Sequence, residues 1–144
     1  MRIAIAAAAV LAAGFGLGVG AAGGEDRPAW LSEATEKRLT ANARAVFTQD
    51  PSAQIERAFV VRTAHQRVSE IGQWQSPGDH EVYVVELWGD MRLCHGAPAG
   101  GNPCERTDGL TVVYDARTLR TDDVRFGRLG AERLGSPYDL AVTR

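Results

Sequence analysis

His80-Glu81-Val82-Tyr83-Val84-Val85-Glu86-Leu87-Trp88 is apolar on both of its alternating faces. Val82, Val84 and Trp88 share one side, and Tyr83, Val85 and Leu87 share the other. A strand apolar on both sides belongs in the middle of a sheet. Downstream lies a Gly/Pro-rich loop between Cys94 and Cys104, then Leu110-Thr111-Val112-Val113-Tyr114-Asp115. This second run alternates, with Leu110, Val112 and Tyr114 on one face and Thr111, Val113 and Asp115 on the more polar one. Asp115-Ala116-Arg117-Thr118 reads as a turn in which the Asp side chain caps its own backbone. Thr121–Phe126 returns as a third strand. The pattern predicts an antiparallel meander centred on Val82–Trp88, its first connection closed by a disulfide.

Upstream, Ser32 is a good N-cap with Glu33 and Glu36 behind it, and Leu39, Ala43, Val46 and Phe47 form an apolar stripe. A helix is therefore expected from Ser32 to about Phe47, stopped by Asp50-Pro51. Glu56–Arg62, around Phe59-Val60-Val61, reads as a further strand. Thr63-Ala64-His65-Gln66 fits a capping box, so a short second helix is expected there, ending at Gly72. In that reading His65 is a solvated first-turn residue. Residues 73–79 form a loop carrying Trp74. The tail after Gly127 covers the sheet without forming a full element. The fold class is thus α+β: three to four antiparallel strands packed by one long amino-terminal helix and a short second one.

Residues 3–22 carry no charge. The run is either a secretory signal, with small residues at Val19-Gly20-Ala21-Ala22 for cleavage, or an anchor of minimal length, about 20 residues. Arg2 before it and Glu25-Asp26 after it send the folded part outside in both cases. The expected organisation is a signal or anchor at 1–22, a linker at 23–29 and one domain at 30–144. Two cysteines in an exported chain are most simply a disulfide. Closing a loop of about 11 residues is worth roughly 2.5–3 kcal/mol in the chain-entropy picture. The rival is a metal held by Cys94, His95 and Cys104, but structural zinc wants four ligands at tight spacings and no CxxC or HxxxH pair occurs.

Lys and Arg number 16 against 18 Asp and Glu, a balance that argues against a nucleic-acid partner. Hydrophobic residues at 44% and charged residues at 24% exclude a disordered chain. A single Lys among many Arg, Ala and Gly is the usage of a high-GC bacterial source.

The run Val82–Leu87, followed by Leu110–Thr118, resembles the PepSY-type domain, whose last hairpin carries an Asp-Ala-x-Thr-Gly turn. The exported stretch is also similar to small secreted actinobacterial proteins of unknown function. The likeness covers about residues 55–127, and Leu119 stands where that family places glycine. It implies a helix on an antiparallel sheet and a binding or inhibitory role at the cell envelope, and it supplies no catalytic residues.

No Gly-x-Ser-x-Gly elbow or phosphate loop is present, and no cofactor is expected. Glu86, between Val84 and Trp88, is the most interesting carboxylate, expected to pair with Arg62 or Arg125 because buried acids need partners. Asp122 and Asp123 point to opposite faces and would not share a proton. Two functions fit. One is a non-catalytic exported binding or inhibitory module, offering a sheet face and the Cys loop (Trp74, Trp88, Glu86 and His95) to a protein or envelope ligand. The other is a small extracellular thiol-dependent hydrolase or redox protein using Cys94 and a histidine. Membrane contact is expected only through residues 1–22, if they are retained.

Overall fold

In the computed structural model, which describes residues 26–74, 78–94 and 104–143, five antiparallel strands form one sheet in the order β4-β3-β2-β1-β5. They are β1 (Gln54–Ala64), β2 (Glu81–Cys94), β3 (Cys104–Asp115), β4 (Thr121–Phe126) and β5 (Tyr138–Asp139). The α+β class and the central place of Val82–Trp88 hold. Val84, for example, pairs with Val61 on β1 and Val113 on β3 and has no exposure. The fifth strand is the difference, built from the tail that was expected to remain irregular.

One face of the sheet is covered by α1 (Glu33–Arg44) and α2 (Val46–Gln49), which divide the expected long helix at Ala45. Ser32 caps α1 as expected, its hydroxyl accepting from the Thr35 N–H at 3.1 Å. Leu39, Ala43 and Val46 meet Val60, Tyr83, Val85, Leu87 and Tyr114 there. Trp30 and Leu31 also go to the sheet: the Trp30 ring lies 6.1 Å from Tyr83, whose hydroxyl donates to the Trp30 carbonyl. The other face gathers Phe59, Val61, Val82, Val84 and Val113 beneath Val68 of α3 (His65–Gly72) and beneath Leu129, Ala131 and Leu134 of the tail. That tail then rounds the β1 edge as β5, and Leu140 and Val142 enter the first layer. Residues 129–142 therefore contribute to both.

Two local expectations are corrected. Thr63 is not a helix cap. It closes β1, 5% exposed, and its hydroxyl has no hydrogen-bond partner among the described residues. α3 starts at His65 behind Ala64, with no side-chain cap. Thr111 does not lie on a polar face either. It is fully buried and donates to the Gly127 carbonyl.

Two of the positive-φ backbone positions shape the sheet and its turns. β2 bulges between Trp88 and Met91, where Gly89 has φ 151° and a Cβ would fall 1.9 Å from the Gln54 carbonyl oxygen. Leu119 has φ 57° in the turn before β4, the left-handed region glycine adopts freely. The turn forms nevertheless because Asp115 Oδ1 accepts from the N–H groups of Arg117 and Thr118 and from the Thr118 hydroxyl. Comparing Leu119→Gly with Leu119→Ala cancels the lost side chain. The glycine variant should be the more stable by roughly 1 kcal/mol in urea unfolding, the reverse of their order in a helix.

Candidate functional site

The β2–β3 hairpin extends past the bulge to Cys94 and Cys104, which are bonded to each other as expected. No free cysteine remains among the described residues. His95 and the rest of the intervening loop lie outside the described residues. The base of the loop is held from below by the end of α2. Asp50 Oδ2 accepts from the Arg92 N–H at 2.8 Å, and Gln49 Oε1 from the Cys94 N–H at 3.4 Å. Ser52 donates to the same Asp50 carboxyl, and with Arg92 keeps it below the usual carboxylate range. Across the hairpin, Arg106 grips Asp90 through both carboxylate oxygens. Cys104→Ala should cost roughly 2–4 kcal/mol, read as a lowered midpoint in urea. An unchanged midpoint would mean that the staple is not what orders this end.

Trp88 and Trp74 are half-buried and pack against the second apolar layer. Gly72 allows Trp74 to fold back, since a Cβ there would sit 3.0 Å from the indole. Trp88 is enclosed: Phe59 meets it edge-on at 5.5 Å, and Arg57 and Arg128 stand 5.2 and 4.8 Å from its centre. Cations over an indole face are held by its quadrupole.

Glu86 is not a contact residue, nor is it paired with an arginine among the described residues. It has no exposure, and its carboxyl oxygens accept from Trp88 Nε1 at 2.6 Å and from the N–H groups of Gly130 and Ala131 at 3.3 and 2.9 Å. Arg62 pairs instead with Glu81, and Arg125 donates to the Gly72 carbonyl. Glu86 thus ties the tail to the central strand, and the partners it needed are mostly backbone.

The sequence reading missed a second cluster, at the opposite end of β2. His65 is 6% exposed rather than solvated. Its ring stacks on His80 at 4.9 Å, with 22° between the planes. His80 Nε2 lies 2.7 Å from Asp122 Oδ2 and 3.9 Å from Asp115. An open groove lined by Arg62, His80, Glu81, Asp115 and Arg117 adjoins it. The donor atoms of His65, His80 and Asp122 fall within 4.8 Å of one another, close enough in distance for a metal. Their directions fit poorly. Ring-nitrogen lone pairs lie in the ring plane, so two nearly parallel rings do not converge on one ion at the required ~2.0–2.1 Å. His65 Nδ1 moreover already accepts from the Gly78 N–H at 2.9 Å.

The arrangement suits a charged hydrogen bond better. Asp122 holds the His80 imidazole above its ordinary value, with Asp115 and Asp79 assisting. A group raised in the folded state stabilises fully below its unfolded value, about 6.5, and loses that contribution as pH climbs through the folded one. Thermal midpoints taken upward from pH 6 should fall more for the wild type than for Asp122→Asn. His80 is well exposed, so solvent screening keeps the difference small.

No family model, curated protein or solved structure matches the chain. Among the described residues, no helix is long and apolar enough to cross a membrane.

Proposed function

We propose that the protein is an exported, non-catalytic binding or inhibitory module of the bacterial cell envelope, presenting the disulfide-closed end of the β2–β3 hairpin to its partner. The observation that carries this reading is the Cys94–Cys104 bond in a chain whose residues 3–22 are an uncharged apolar run. A disulfide persists in an oxidising compartment, and a loop closed by one loses less entropy on binding. The likeness of residues 55–127 to PepSY-type domains agrees with this, resting on its short motifs. The thiol-dependent alternative needs Cys94 as a thiolate, whereas here its sulfur is bonded.

Amino-terminal sequencing of protein from the culture medium should begin near Ala22–Gly24. Full-length chain in the cytosol would overturn the export half of the proposal, and intact chain in membranes would make residues 1–22 an anchor. For the binding half, the protein and its Cys94→Ser/Cys104→Ser variant are offered in parallel to a solubilised envelope fraction. A partner retained only by the oxidised protein supports the hairpin end as the contact. Equal retention removes it. Two labelled thiols in the unreduced protein would revive the thiol-dependent reading.

A further inference from the structure

We propose that β4 is the contact between two copies of this chain, which pair antiparallel along this edge into one ten-stranded sheet. At the opposite edge β5 is two residues long, and the tail wraps over it. β4 offers six residues without a proline. The Gly127 N–H donates to the Gly109 carbonyl at 2.7 Å. In an antiparallel ladder the bonded pairs alternate. The register Thr111↔Arg125, Val112↔Val124 and Val113↔Asp123 therefore turns the N–H and C=O of Val124 away from β3, onto the free edge. Among the described residues, the Val124 N–H accordingly meets the carboxyl of Asp123, at 2.7 Å.

An edge that carries charge usually discourages pairing. Here the charges are arranged in self-complementary order. Asp123 and Arg125 lie on one face and Val124 between them on the other. A two-fold axis through Val124 sets each Val124 against its copy. It also sets each Asp123 against the Arg125 of the other chain, twice over. Cross-strand opposite charges attract and like ones repel. On the apolar side, the partly buried Leu110, Val112 and Phe126 would continue into their copies beside Val124, which is 49% exposed. The other exposed large hydrophobic among the described residues, Ile71, adjoins Gly72, whose carbonyl takes Arg125. Both thus flank this edge. On pairing, the Val124 N–H exchanges Asp123 for a backbone carbonyl, and Asp123 is freed to meet Arg125.

Sedimentation equilibrium of the purified protein across the micromolar range should show monomer and dimer. Arg125→Asp and Asp123→Arg should each weaken the dimer about tenfold or more, because each places like charges opposite one another twice. An equimolar mixture of the two variants should associate again, since one brings only acids and the other only arginines to the edge. The double exchange Asp123→Arg/Arg125→Asp should also dimerise, which covers the case of one single variant failing to fold. A wild type that stays monomeric, single variants that dimerise like it, or failure of both the mixture and the double exchange to restore association would each overturn the proposal.

Discussion

Val84→Asp should leave the protein largely unfolded, at a cost of roughly 4 kcal/mol or more. The side chain has no exposure and sits between Val61 and Val113, in a layer closed by Phe59, Val82 and Leu134. Neither water nor a cation reaches it, so a carboxylate must be neutralised or expelled. Thr121→Asp, on the exposed end of β4, should change stability by only about 0.5 kcal/mol. Urea unfolding of the three proteins measures both. In the wild type, the amides of Val82–Trp88 should be the slowest to exchange. Equal tolerance at the two positions would put β2 on the outside of the sheet, against everything described here.

Glu86→Ala is expected to be the second most damaging change, about 3–5 kcal/mol. The loss is not that of one hydrogen bond. Trp88 Nε1 and the Gly130 and Ala131 N–H groups all lose their acceptor, the Ala131 bond fully buried and the other two partly so, each at up to roughly 1–3 kcal/mol before relaxation. Glu86→Gln separates the causes. It keeps the volume and one acceptor oxygen but turns an NH₂ towards donors, so it should remain clearly destabilising, though less than alanine. Proteolysis offers an independent readout, because the variants should become cleavable after Gly127, where the tail leaves the sheet. A Glu86→Ala protein as stable as the wild type would mean that this clamp contributes nothing.

The strands were legible because their pattern has period two and their volume is large. Val82, Val84 and Trp88 do face one layer, and Tyr83, Val85 and Leu87 the other. The Asp115 turn was legible because its chemistry is local. What escaped depended on register or on backbone. His80 and Asp122 stand 42 residues apart, and their meeting requires the irregularity between Val113 and Tyr114 that shifts β4. Glu86 was recognised as a buried acid, but its partners belong to N–H groups that every residue carries, and no side-chain type announces them. β5 was invisible for a similar reason. Two residues have no periodicity, and only the β1 edge gives them a partner. Thr111 misled because its hydroxyl marks a polar face unless the Gly127 carbonyl is known to be above it.

The tail that rounds the β1 edge also sets the order in which the molecule can be completed. Leu129, Ala131 and Leu134 close one layer, and Leu140 and Val142 the other. Neither layer is finished until residues 129–142 have left the ribosome and, in the exported reading, the membrane channel. Until then Val85 has only the α1 and α2 side chains above it and Val84 only Val68 of α3, so both layers are left part-covered. Pairing over such sequence distances is slow, so a loop between Cys94 and Cys104 can be oxidised first, while the faces of the sheet are still incomplete.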